Sequence, residues 1–222
     1  ERILDENASL TKYIDDKKQS NFKIYNNDMF KEADIVLGND NIKVSAKMDK
    51  NIFLFTNENT IELLVLTNSK IYDDKLTKHI FEPFLMGLSV LIEKEKFDIK
   101  EEQINLNITI LYKDKTSPVN YNYKIDLSYA KEYLLKLVNY YFDKKLFYEP
   151  DFKTINSLIK KLEKTDEKWK DENFTLEKVL ALQEKEKSSN ELDITELIKM
   201  ELPENYFEIV KDKYDIFYKF LT

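Results

Sequence analysis

The sequence predicts an α/β or α+β architecture, a mixed sheet flanked by helices, and three observations carry that expectation. Ile104, Leu106, Ile108, Ile110 and Tyr112 alternate strictly with other residues, the period of a strand. Four short apolar runs between residues 34 and 67 are separated by polar turn clusters. Leu76, Ile80, Phe84, Leu88 and Leu91 recur at helical spacing between them. Elements that each bury one face must pack in layers, and strands interleaved with helices give helices on a sheet.

Taken in order, 2–16 carries Ile3, Leu4, Leu10 and Ile14 at near-helical spacing and is expected to be a helix. The runs 34–37, 42–48, 52–55 and 61–67 read as a meander of antiparallel strands, broken by Gly38-Asn39-Asp40-Asn41, Asp49-Lys50-Asn51 and Thr56-Asn57-Glu58-Asn59. Ile42, Val44, Ala46 and Met48 share one face of the second run, opposite Lys43, Ser45 and Lys47. Leu63-Leu64-Val65-Leu66 is apolar on both faces, which predicts a central, doubly covered strand. A helix over 73–95 follows, with Pro83 and Gly87 as expected kinks. The strand 104–112 leads through a turn at Ser117-Pro118 to a shorter strand over 119–125, after which Asp126 or Ser128 caps a helix reaching Tyr141. The remainder reads as helical and charged: 155–187 around Trp169, 194–200, and a last helix after Pro203. The expected division is an α/β core at 1–150 and a helical C-terminal extension at 151–222.

Composition narrows the function classes. The chain has 222 residues, 42% of them hydrophobic, enough to fill a core. It has no cysteine, which excludes disulfides, thiolate metal sites and iron–sulfur clusters and suits a reducing compartment, so the expected location is the cytoplasm. No apolar run approaches the roughly 20 residues of a membrane helix. The start at Glu1, with neither an initiator Met nor a signal pattern, is read as an excision or cleavage point. A net charge of −7 argues against autonomous, sequence-independent DNA binding, which depends on clustered cations. Arg2 is the only arginine, so bidentate reading of guanine or phosphate is essentially out of reach.

Phosphate-cradling glycine loops, nucleophile elbows and two-histidine metal patterns are missing from the sequence. His79 is alone and reads as a packed or surface imidazole. The charged runs Glu93 to Lys96 and Glu184 to Lys187 read as solvated helix faces, and Trp169 with Phe174 as a helix-packing nucleus. One constellation carries chemistry. Nucleases with two adjacent strands place an Asp on the first and an acid-x-Lys triplet on the second, so that two carboxylates hold Mg²⁺ and the Lys steadies the attacking water. Asp49 stands where the first acid belongs, yet the triplet position reads Leu66-Thr67-Asn68 and supplies neither acid nor ammonium. Glu62 and Lys70 are eight residues apart rather than two, too far along a strand to share one metal. Asp49 as an ordinary hairpin residue beside Lys50-Asn51 is the favoured reading, and neither a metal nor another cofactor is expected.

Several segments resemble one family. Residues 41–48 (NIKVSAKM), 64–71 (LVLTNSKI) and 76–85 (LTKHIFEPFL) are similar to the C-terminal region of RecC, the gamma subunit of exodeoxyribonuclease V, the RecBCD complex. Residues 126–141 (DLSYAKEYLLKLVNYY) with 146–150 (LFYEP), and the closing stretch from Leu202-Pro203-Glu204-Asn205-Tyr206 to Leu221, follow in the family's order. The resemblance implies a restriction-endonuclease-like PD-(D/E)xK core that has lost its catalytic triplet, with Asp49 a relic of the first acid. This chain lacks the Gly that the family usually carries before the Pro near 144–150.

The function so implied is noncatalytic: a domain that docks RecB-like and RecD-like helicase and nuclease subunits and helps guide or split duplex DNA in double-strand-break repair. Lys43, Lys47 and Lys50, beside the turns at 38–41 and 49–51, are the candidate DNA contacts, although the same lysines also read as solvated strand residues. Tyr206, Tyr214 and Phe217 of the last helix are the candidate partner contacts, aromatic anchors being favoured at interfaces. Two rivals stay open: an active Mg²⁺-dependent nuclease using Asp49 and Glu62 with an atypical Lys, and an interaction domain with no DNA role.

Overall fold

The computed structural model describes residues 2–25, 33–37, 42–46, 48–49, 51–67, 76–112, 118–142 and 213; at 2–9, 33–37, 42–46, 76–78 and 112 it describes the backbone alone. The chain divides into two compact units, Glu1–Ile71 with His79–Leu135, and Tyr72–Lys78 with Lys136–Thr222. The first holds the sheet and the site described below.

A five-stranded mixed sheet is the centre of this unit. Its strands are β1 (Lys23–Tyr25), β4 (Ile52–Thr56), β5 (Thr60–Thr67), β6 (Gln103–Tyr112) and β7 (Val119–Asp126), adjacent in that order. Only β5 and β6 run parallel; β1–β4, β4–β5 and β6–β7 are antiparallel. The parallel pair needs a crossover, supplied by α2 (Leu76–Ile92). The sheet with helices on both faces is the α/β layer arrangement that the sequence predicts. Every side chain of β5 from Thr60 to Val65 is buried, as its doubly apolar sequence requires.

One expectation is corrected here. The four runs between 34 and 67 do not form one meander: among the described residues β2 (Ala33–Leu37) and β3 (Ile42–Ala46) pair with each other, in a separate two-stranded sheet. The place beside β4 is taken by β1, which the sequence reading missed. With three residues and one aliphatic side chain, Ile24, β1 has no periodicity to read; its register comes from Lys23↔Thr56, Ile24↔Phe55 and Tyr25↔Leu54.

The two sheet faces are built differently. One carries Leu54, Ile61, Leu63, Leu106, Ile108 and Tyr123, all buried, and α2 packs there. Phe84 of α2 meets Tyr123, with ring centroids 5.1 Å apart, and Tyr133 of α3 (Leu127–Phe142) at 6.0 Å. Each such fully buried side chain contributes about 1.5–3 kcal/mol relative to exposure. Gly87 sits over Leu106, where a Cβ would stand 2.4 Å from Leu106 Cδ1, so the role the structure gives this glycine is close helix–sheet approach. Pro83 lies inside the helix, as expected.

The opposite face is covered by α1 (Arg2–Gln19) and is less apolar. Tyr13 meets Phe55 edge-on at 5.9 Å, while none of the described α1 side chains, 10–19, is fully buried. Farther across, Asn105, Asn120 and Asn122 are exposed and Asn107 is half-buried. The helix ends in an αL turn at Asn21 (φ 60°), where the N–H groups of Asn21 and Phe22 donate to the carbonyls of Lys18 and Lys17. At the start of α3, Asp126 is the cap: its Oδ1 accepts from the Tyr129 N–H at 2.7 Å and from Ser128 Oγ at 2.6 Å.

The helix expected over 73–95 ends at Ile92 and is followed by a 3-10 turn, Lys94–Phe97. The reading of Glu93 to Lys96 as a solvated face needs correction at Glu93, whose side chain is 8% exposed and bridged by Lys96 at 2.7 Å. The turn folds that carboxylate inward, because Phe97 must reach Tyr25, 5.4 Å away, and Thr56 Oγ1 donates to the Phe97 carbonyl at 3.0 Å. No helix among the described residues is long and apolar enough to cross a membrane.

Candidate functional site

The sequence points to the start of β4 and the end of β5. Ile52 pairs with Val65, and one step beyond, the Leu66 N–H donates to the Asn51 carbonyl at 2.8 Å while Asn51 Nδ2 donates to the Leu66 carbonyl at 3.2 Å. Asp49 lies in the turn immediately before, exposed, its carbonyl accepting from the Ile52 N–H at 3.0 Å. Asp49 therefore approaches β4 from the end at which Leu66 and Thr67 leave β5.

Glu62 does not join Asp49. It pairs across the sheet with Phe55, three residues into β4 from Ile52, so it lies roughly 10 Å along the strand from the turn that holds Asp49, at about 3.3 Å per residue. Its side chain faces α1 instead. Among the described residues no three His, Cys, Asp or Glu side chains are grouped so as to hold a metal ion.

The other sequence candidates lie apart or outside the description. Lys43 belongs to β3, described by backbone alone; Lys47, Lys50, Tyr206, Tyr214 and Phe217 lie outside the described residues, as do Trp169 and Phe174. His79 is half-buried in α2.

The polar cluster that sequence reasoning missed surrounds Glu62. This carboxylate is 2% exposed in the middle of the most buried strand. Tyr13 Oη donates to its Oε1, and Lys17 Nζ donates to its Oε2. Thr109 Oγ1 stands 3.4 Å from Tyr13 Oη and donates onward to Asn120 Oδ1 at 2.9 Å. Lys17 also lies 4.8 Å from the centroid of the Phe22 ring and 5.4 Å from that of Tyr13. Burial pushes Glu62 up to about 7, and burial also lowers Lys17. Tyr13 and Lys17 are four residues apart, on one face of α1, a spacing visible in the sequence. That this face meets Glu62 is visible only in the fold.

No protein-family model, curated protein or solved structure matches this chain.

Proposed function

We propose that the chain is a noncatalytic, nuclease-like domain of a RecC-like subunit, which docks RecB-like and RecD-like helicase and nuclease subunits and helps guide or split duplex DNA during break repair. The reading rests on the sequence resemblance. One structural observation supports it best: Asp49 lies in the turn before β4, beside the exit of β5, and that exit carries Leu66 and Thr67 rather than an acid. A single carboxylate supplies too few hard oxygen ligands to hold Mg²⁺ in a reactive geometry. The separation of Glu62 from Asp49 removes the second acid that an active nuclease would need.

On this proposal Lys43 on β3, with Lys47 and Lys50 beyond it, touches DNA without reading sequence, and Tyr206, Tyr214 and Phe217 serve as docking anchors. The test has two arms. Plasmid DNA incubated with the chain and Mg²⁺ or Mn²⁺ should stay intact, and the chain should co-purify with co-expressed RecB-like and RecD-like subunits. Cleavage abolished by Asp49→Ala would overturn the noncatalytic reading, and failure to co-purify would overturn the docking role.

A further inference from the structure

The face of the sheet under α1 presents an unusual balance of forces. On the other face α2 buries Ile80, Phe84, Met86, Leu88, Val90 and Leu91. On this face the described side chains of α1 are at most half-buried, and its contacts converge on one charged group, Glu62. A helix held by a large apolar seam is indifferent to protons. A helix held by a few half-buried side chains and a shared buried carboxylate is not.

We propose that α1 is a proton-responsive strap: it is held tightly on the sheet while the Glu62, Tyr13 and Lys17 cluster retains an extra proton, and loosens when that proton leaves. This inference is independent of the RecC-like reading. The groups facing Glu62 can be named element by element. From α1 they are Tyr13 and Lys17, the titratable partners among the described residues. From β4 the cross-strand neighbour is Phe55, and from β6 it is Asn107, with Thr109 two residues on. None of these last three titrates, so among the described residues no second carboxylate or imidazole next to Glu62 offsets the change.

The direction follows from burial. With the proton present, Glu62 is neutral and Tyr13 remains bonded to it at little desolvation cost. When the proton leaves, a full negative charge is fixed in the sheet against one half-buried ammonium, and hydration of that carboxylate then favours separation of α1 from the sheet. The pKa of Glu62, pushed up to about 7, places the change near neutral pH. The far end of the strap is closed by the αL turn at Asn21 and the Phe22 N–H bonded to the Lys17 carbonyl at 3.1 Å, directly before β1 begins at Lys23.

Hydrogen–deuterium exchange on the whole 222-residue chain tests this at pH 5.5 and 8.0, with rates corrected for intrinsic exchange. Protection of the amides at 10–19 should fall at least about tenfold between the two pH values, the equivalent of one pKa unit, and at both pH values should stay well below that of amides at 80–92 in α2, which exchange through global unfolding. In Glu62→Gln the fall in α1 should vanish. If α1 tracks α2 in the wild type, or if the fall persists in Glu62→Gln, the proposal is wrong. Should Glu62→Gln fail to fold by circular dichroism, Tyr13→Phe replaces it: losing the hydroxyl donor must reduce α1 protection more at pH 8.0, where the carboxylate is charged, than at pH 5.5. Equal losses at both pH values overturn the proposal.

Discussion

Gly87 of α2 and Leu106 of β6 are in such close approach that a methyl group on the first would stand 2.4 Å from Cδ1 of the second and 2.9 Å from Cδ2. Both residues are buried, and Leu106 has no exposed surface. The helix carries its only glycine at a point where it lies close against the sheet.

Gly87→Ala brings two opposed effects. Helix propensity favours alanine by about 1 kcal/mol. Overpacking a closed core costs about 1–3 kcal/mol, and Leu106 cannot rotate into open space. A net loss of about 1 kcal/mol is expected in urea denaturation. In a Leu106→Ala background, which alone costs about 2–5 kcal/mol, the same Gly87→Ala change should become stabilising because it enters the space vacated. Additive effects in this cycle would show that the two residues do not press on each other.

The pH dependence of global stability separates Glu62 from the other carboxylates. Its pKa is raised by burial from 4.5 to about 7, so between these values the folded chain binds more protons than the unfolded one. Stability from this group is fully present below pH 4.5 and is lost as pH rises through 7. The loss is at most about 3 kcal/mol, from 1.36 kcal/mol per pKa unit, and is reduced in practice by the attraction of Lys17. Denaturation curves at pH 4.5 to 7.5 should show wild type losing ground relative to Glu62→Gln as pH rises. A constant difference across the window would mean that Glu62 titrates normally.

How far the sequence reached depends on where each signal resides. Leu63 to Leu66 announce a doubly covered strand, and Ile104 to Ile110 a strand with one face in the core, because side-chain period is a local property. The connection of strands is not local. The runs at 34–37 and 42–46 look like neighbours of β4, yet the pairing partner is the three-residue β1, chosen by the path of α1 across the sheet. Glu93 sits in a charged run and so reads as solvated, while the 3-10 turn that folds it inward depends on Phe97 finding Tyr25. For the site, Asp49 and Leu66 could be related in advance because hairpin register follows from turn position. Glu62 and Lys17 could not, being 45 residues apart on elements joined only by packing.

Asp126 offers a local test of the sequence-read cap. Its carboxylate accepts the Tyr129 N–H three residues on, satisfying a donor that the first turn of α3 cannot. Asp126→Ala should cost about 1 kcal/mol and Asp126→Asn much less, since asparagine caps nearly as well. Thermal unfolding of the two variants provides the comparison; equal losses would place the effect in the charge rather than in the hydrogen bond.

Asn21 closes α1 with a left-handed backbone, φ 60°, and the Phe22 N–H reaches back to the Lys17 carbonyl at 3.1 Å. Asparagine tolerates this conformation, glycine adopts it without a Cβ penalty, and a β-branched residue resists it by roughly 1–2 kcal/mol. Asn21→Gly should therefore leave stability unchanged or raise it by a few tenths of a kcal/mol, and Asn21→Val should lower it by about 1–2 kcal/mol. The valine change should also weaken the anchor that holds Lys17 against Phe22 and Glu62, so amide protection at 14–19 should fall further than in α2. If Asn21→Val unfolds α1 and α2 in parallel, the αL turn supports the whole unit, and Lys17 gains no separate hold from it.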